Sequence, residues 1–362
     1  MTRPLSELTT LRLGGPAARF VQADSEEDIV GAVRAGDAAG EPLLVLAGGS
    51  NVVVADEGFP GTVVLVATRG VERRPAGGRT ELTAQAGEPW DPFVEACVAE
   101  GLAGLEALSG IPGSVGATPI QNVGAYGQEV AQTVRAVRAF DRQLDRIEEL
   151  APEECGFGYR TSVFKRCPGR WVVLAVTFSL ESSTLGAPVA YPELARALGV
   201  EPGGRAAPAE VREAVLALRR RKGMVVDPED LDSVSAGSFF TNPVLSPEAF
   251  AELEERARVK LGAAGKPPRF PHPDGRVKTS AAWLIERSGF ARGHGDPAGV
   301  AISTKHILAL TNRGAGTAVA LLALAHEVAD GVEREWGVAL QPEPVLVGHA
   351  WATAVAERAA PS

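Results

Sequence analysis

Pro42-Leu-Leu-Val-Leu-Ala-Gly-Gly-Ser-Asn-Val-Val-Val-Ala55 reads as strand, tight turn, strand. The apolar run 42–47 has the length of a buried strand, and 52–55 is a further strand whose first three residues are β-branched. In the turn, Gly48 and Gly49 let the backbone approach a partner closely, with Ser50 and Asn51 beside them. Working outward, Ser25-Glu-Glu-Asp28 is a capping box that opens an amphipathic helix to about Ala39, ended by Gly40. Residues 62–66 and the alternating 80–86 are strands, and 91–100 is a helix stopped by Gly101.

Residues 104–127 are glycine-rich and weakly periodic, a long loop of the kind that carries function more often than not. Antiparallel strands follow at 134–140, 146–150 and 171–180. Ser182-Ser-Thr-Leu-Gly-Ala-Pro188 breaks the pattern. Beyond it, helices are predicted at 208–221, from Ser246, at 280–287 and at 317–336, with strands at 307–311 and 346–347. The Ala-rich last dozen residues read as a frayed end.

The chain has 362 residues, 45% hydrophobic and 22% charged, enough for two or three domains. A net charge of −9 argues against a nucleic-acid partner. Cys97, Cys155 and Cys167 are odd in number and form no CxxC, which argues against a disulfide framework and a structural zinc, so no metal is expected. The N-terminus lacks a signal-peptide core, and the apolar run 317–328 is too short to span a membrane. A cytoplasmic location is the expectation.

Each motif taken alone has a plain reading beside its chemical one. Gly48-Gly-Ser-Asn51 and Gly110-Ile-Pro-Gly-Ser-Val-Gly116 suit a pyrophosphate, or are hairpin punctuation. Gly314-Ala-Gly316 lacks the third glycine of a dinucleotide fingerprint and reads as the start of a helix with Thr317 near its cap. Gln121 and Asn122 could read a heterocycle edge, or decorate a loop tip. Arg160, in Phe157-Gly-Tyr-Arg160, offers a fork for a carboxylate, or is a solvated arginine. Ser238 lies between Gly237 and Phe239-Phe240, with no nucleophile elbow around it, and reads as a proton donor in a dry pocket or a turn cap. Prolines flank Glu343, and Arg219-Arg-Arg-Lys222 closes a helix where it complements the dipole or holds a diphosphate.

The order of these motifs resembles the UDP-N-acetylenolpyruvoylglucosamine reductase family. The likeness spans about 8–348 and adds Thr9-Thr-Leu-Arg-Leu-Gly-Gly15, Pro119-Ile-Gln-Asn-Val-Gly-Ala-Tyr-Gly127, Ala236-Gly-Ser-Phe-Phe240 and Pro342-Glu343. It implies an FAD-binding domain of the vanillyl-alcohol-oxidase type at 1–185, in two α+β subdomains (about 1–68 and 69–185). It further implies an α+β substrate-binding domain at 186–348, whose last strand, near 340–348, packs back on the first part, and a tail at 349–362.

The resemblance also implies non-covalent FAD on Gly48, Gly49, Ser50, Asn51, Gly110, Ser114, Val115, Gly116, Gln121, Asn122, Gly124 and Ala125. It implies NADPH as hydride donor and UDP-N-acetylglucosamine enolpyruvate as small-molecule substrate; a monomer is the expectation. Ser238 would be the proton donor, with Arg160 and Glu343 as catalytic companions. Tyr126, Tyr191, Lys222, Asn242 and His306 would contact substrate, Tyr191 being the loop tyrosine of the longer subclass. Thr241, Pro344 and His306 depart from the common pattern. Oxidases of the same fold use glycine loops without needing Gly-Ser-Phe-Phe.

Overall fold

The helix Glu26–Ala39 begins and ends where its sequence predicts. Ser25 is extended, its hydroxyl accepts the Asp28 N–H, and Gly40 closes the helix at φ 63°. The structure, a computed structural model, describes residues 3–262 and 265–351. By packing, these form two compact units.

The first unit comprises Arg3, Ala17–Gly49 and Phe59–Val225. Its smaller sheet is parallel, with Phe59–Val66 between Ala17–Ala23 and Leu43–Leu46. Its larger sheet is antiparallel and runs Arg146–Leu150, Val134–Asp141, Trp171–Ser182, Arg79–Gln85, Val71–Ala76. Leu102–Ala103 extends Trp171–Ser182 at one end. The helix Trp90–Ala99 buries Trp90, Phe93 and Val94 in this unit's core, where Trp90 and Phe93 meet Phe178. Val71–Ala76 was not expected, because five of its six residues are exposed and no apolar alternation marks it.

A smaller cluster joins Val211, Val215 and Leu218 of the helix Pro208–Arg221 to Leu194 and Ala195 of the helix Pro192–Leu198, and to Ala107 and Val189. The spacing of the first three is one helical face. This packing groups 186–225 with the first unit, whereas the sequence reading draws a domain boundary at 185/186 from the break in pattern at Ser182–Pro188.

The second unit comprises Pro4–Pro16, Ser50–Gly58 and the chain from Val226 to 351. Its antiparallel sheet runs Ser235–Ser238, Ala309–Asn312, Val300–Ile302, packed with the helix Ala318–Trp336. That helix starts at Thr317, whose hydroxyl accepts the Ala320 N–H, so Gly314-Ala-Gly316 is the approach to a capped helix, as read from sequence. Asp56 adds a second cap, accepting from Ala318 and Val319 N–H at 2.8 and 3.1 Å. Val52–Val54 pairs in parallel with the last strand, Val345–Val347. The strand expected at 307–311 begins later, at Ala309, because Ala309 N–H closes a turn on His306 O. Trp351 is half-buried and stacks on His326 at 4.1 Å, so the end is packed that far; the rest of the expected frayed end lies outside the described residues.

Asp141, at the end of its strand, is fully buried. Arg170 donates to it from Nε and Nη2 at 3.0 and 2.6 Å, and the Gln143 and Leu144 N–H groups donate at 2.9 and 3.2 Å. The Arg170 guanidinium first, and the backbone donors after it, hold the carboxyl below its usual range against the push of burial. A depressed carboxyl stabilises the fold above its unfolded pKa and loses that contribution as pH falls through the folded value. Asp141→Asn is expected to cost about 2–4 kcal/mol at pH 7. Measured by urea unfolding, the deficit should begin to shrink as pH drops below about 4 and close only as pH falls through the lower folded value, where the native carboxyl itself is protonated. Equal deficits at both pH values would show that the charge contributes nothing.

Candidate active site

In the first unit the two glycine turns meet backbone to backbone. A Cβ on Gly48 would lie 2.5 Å from Gly113 Cα and 3.0 Å from Ser114 N. Gly49 sits at φ 56°. The 110–116 loop is pinned from behind: Trp90 N–H donates to Gly113 O (3.0 Å), Val115 N–H to Glu88 O (2.8 Å) and Gly116 N–H to Ala86 O (2.9 Å). Val115 and Gly116, both expected to bind cofactor, thus have their N–H groups occupied by the neighbouring segment. Gly116 is needed for packing, since a Cβ there would fall 2.4 Å from Ala86 Cβ.

Gly110 N–H donates to Asp91 at 2.5 Å, and Asp91 is held by Arg212 from Nη1 and Nη2 at 2.7 and 3.1 Å. Burial pushes the Asp91 carboxyl up, but Arg212, the Gly110 N–H and Arg219 together bring it below the ordinary range. This brace was not legible in the sequence, because its two charges lie 121 residues apart.

Two buried donors remain on or next to the 110–116 loop, with Arg219 Nε 3.4 Å from where a Cβ on Gly110 would lie. Ser114 is 4% exposed, and its Oγ has no hydrogen-bond partner among the described residues. Arg219 Nη2 donates to Met224 O at 2.7 Å, while its Nε is buried without a partner among the described residues. Burial lowers the Arg219 guanidinium to about 10, which leaves it cationic at neutral pH. The run 219–222 therefore splits: Arg219 turns inward and Arg221 outward. Buried donors of this type are rare unless a ligand takes them, and a close glycine pair with a hydroxyl and a guanidinium fits an FAD pyrophosphate.

Arg160 and the amide-rich segment form a second group. Gly124–Ala125 and Gln128–Glu129 make a hairpin whose two-residue turn is Tyr126-Gly127, at φ 49° and 87°. Asn122, 1% exposed and at φ 48°, donates from Nδ2 to Glu129 (2.7 Å) and Gly158 O (3.1 Å) and accepts the Ala131 N–H (3.1 Å). Its amide thus ties the hairpin to the Gly158–Thr161 turn. Within that turn Arg160, at φ 51°, donates from Nη2 to Gly124 O at 3.0 Å. Gln121 is half-buried on the turn before Asn122.

Tyr126, Tyr191 and Lys222 also come together. The two rings meet edge-on at 5.5 Å, and Lys222 Nζ lies 6.0 Å from the Tyr126 ring and 2.6 Å from Glu193. Tyr191 caps the helix Pro192–Leu198 and is 44% exposed. Burial, reinforced by Glu193 and Tyr191, pushes the Tyr126 phenol up to about 12 against Arg219 and Arg221, so it stays a donor.

In the second unit Ser238 ends a bulged strand. Ser235 pairs with Thr311 and Ser238 with Ala309, so the strand carries one extra residue, with Gly237 at φ 77°. Bulges of this kind re-aim a side chain. Ser238 Oγ lies 3.5 Å from His306 Nε2. Phe239 and Phe240, 1% and 2% exposed, belong to the unit's core, where they anchor the strand. The Glu343 segment lies alongside: Glu343 N–H donates to Phe239 O at 2.8 Å, and Asn51 Nδ2 donates to Glu343 O at 3.3 Å. Ser50 precedes Asn51 in the same turn. Asn242 Oδ1 accepts the Ala281 N–H at 3.0 Å and so caps the helix Ala281–Arg287. Among the described residues no cluster of His, Cys, Asp or Glu could hold a metal, and no helix is long and apolar enough to cross a membrane.

Comparisons with known proteins bear on these groups. Residues 17–145 match the family described as FAD binding domain, and residues 227–347 the family described as UDP-N-acetylenolpyruvoylglucosamine reductase, C-terminal domain. The chain is 56% identical over 346 residues to the UDP-N-acetylenolpyruvoylglucosamine reductase of Thermobifida fusca, covering 95% of this chain and 97% of that one. It is 55% identical over 347 residues to the Streptomyces coelicolor protein of the same name, covering 95% and 89%. A crystal structure of the reductase from Thermus caldophilus superposes with a TM-score of 0.62 at 25% identity, over 96% of this chain and 98% of that one. With an α+β fold, a glycine-loop pair fit for FAD and this extent of shared sequence, the chain belongs to the UDP-N-acetylenolpyruvoylglucosamine reductase family.

Proposed function

We propose that this chain reduces UDP-N-acetylglucosamine enolpyruvate to UDP-N-acetylmuramate, using FAD as resident cofactor and NADPH as hydride source, in peptidoglycan precursor synthesis. We place it in the cytoplasm, as a monomer of the longer subclass. The observation that carries the reading is the Gly48–Gly113 contact with the buried Ser114 hydroxyl beside it, in a chain 56% identical to a named reductase.

When bound, FAD supplies a two-electron carrier between NADPH and the enolpyruvyl CH2 carbon. The glycine pair lets the pyrophosphate approach the backbone, and Ser114 Oγ and Arg219 Nε donate to it. Tyr126, Tyr191 and Lys222 hold the substrate diphosphate, the phenol of Tyr126 staying protonated because burial pushes it up to about 12. Asn242 and His306 contact substrate as well.

Negative charge develops on the carbon next to the carboxylate. Arg160 faces that carboxylate and stabilises the charge where it forms, with Glu343 as its companion. Ser238 then gives its hydroxyl proton to the carbon. The Ser238 hydroxyl needs no base, because the carbanion is the stronger one. His306 Nε2, 3.5 Å away, is close enough to orient the hydroxyl.

Two outcomes follow. Gly48→Ala places a methyl against the Gly113 backbone, so the purified protein should lose most of its flavin absorbance while its far-UV spectrum is kept. Full retention of flavin would remove the glycine pair from the cofactor site. Ser238→Ala should keep flavin reduction by NADPH, followed anaerobically, and lose reoxidation by the enolpyruvate by ~10²–10⁴. Near-normal reoxidation would sink the serine assignment.

A further inference from the structure

Glu106 is fully buried in the first unit. Among the described residues its carboxylate is met by N–H groups: Gly104 at 2.6 Å on Oε2, and Ala187 at 2.7 Å and Gln128 Nε2 at 3.2 Å on Oε1. Burial of a carboxylate with amide donors is unfavourable unless those donors are well aligned, and such groups persist where they specify position.

The three donors come from three segments. Gly104 opens the glycine-rich stretch. Gln128 follows the Tyr126-Gly127 turn directly, and its Oε1 accepts the Ala107 N–H at 2.8 Å. Ala187 belongs to the stretch that leads to Tyr191. Gly186 lets the chain come this near, for a Cβ there would lie 2.7 Å from Glu106 Oε1. Just before the 110–116 loop, the Ser109 hydroxyl donates to Glu106 O at 2.7 Å and closes the turn Glu106–Leu108. One carboxylate therefore joins the start of the glycine-rich stretch, at Gly104, to both tyrosine-bearing segments.

We propose that Glu106 is a positioning residue for the substrate diphosphate. It sets the Tyr126 turn and the Tyr191 segment in register against each other and the chain at Gly104, so that the two rings and Lys222 present one anion site. This rests on the reading that those three side chains contact the diphosphate.

Glutamine keeps the shape of Glu106 but has one acceptor oxygen, so its NH2 must face a donor in either orientation. In flavin-loaded Glu106→Gln, KM for the enolpyruvate should rise about tenfold. Its kcat, flavin content and anaerobic reduction by NADPH should stay within about twofold to threefold. Gln128→Leu removes only the arm to the Tyr126 turn and should raise KM in the same way. Combined with Glu106→Gln it should add less than the product of the two effects, since they share one network. If Glu106→Gln does not fold, Gln128→Leu carries the test by itself. Tyr191→Phe and Lys222→Met are measured alongside. If these leave KM unchanged, the diphosphate reading fails. If they raise KM and the Glu106 and Gln128 variants do not, the positioning role fails. Equal losses of flavin, NADPH reduction and turnover would overturn it too, since they mark general loosening of the unit.

Discussion

Two glycine turns can touch backbone to backbone only because neither carries a side chain at the contact. Gly48 meets Gly113 and Ser114 at distances that no Cβ tolerates. That contact requires the 110–116 loop to be held from behind, and the surrounding structure does so in layers. Backbone carbonyls of Ala86 and Glu88 fix its far side. Asp91 fixes Gly110, and Arg212 fixes Asp91 with two charge-assisted bonds. The helix Pro208–Arg221, which carries Arg212 and Arg219, packs with the first unit for that reason as much as for its apolar face.

Strain gathers where chemistry is proposed. Among the described residues, five non-glycine residues have positive φ, and three of them are Asn122, Tyr126 and Arg160. Each costs about 1–3 kcal/mol, and each is over-determined by its surroundings. Asn122 is held through both ends of its amide, Tyr126 by the hairpin, and Arg160 by the Gly158–Thr161 turn. The second unit uses a bulge at Gly237 to turn Ser238, and burial of Phe239 and Phe240 offsets the disrupted ladder by about 1.5–3 kcal/mol each.

The Glu343 segment shows how distant pieces of chain share one small region. Its N–H reaches Phe239, its carbonyl receives Asn51, and Val345 N–H donates to Asn51 O at 2.9 Å. Pro344, expected from the resemblance to be a departure, is buried there. Thr241, another of the expected departures, has its N–H on Gln341 O at 3.1 Å, so it is engaged with the segment that leads to Glu343.

By itself the sequence determined the elements that carry local signals. Ser25 with Gly40, Pro208 and Thr317 mark helix ends through capping and fixed backbone angles, and these act within a few residues. It also determined the glycine turns, the motif residues and, through their order, the family. What only the tertiary structure decided depends on partners far along the chain. Val52–Val54 pairs with Val345–Val347, which no periodicity announces. Val71–Ala76 is a strand because its neighbour offers a ladder, not because its side chains are buried. That the amides of Asn122 and Asn242 also hold protein backbone was hidden in the sequence, since an amide's hydrogen-bonding capacity is the same for backbone and ligand. Arg219 was separated from its exposed neighbours only by burial, and Glu106 acquired its place only once three remote N–H groups met around it.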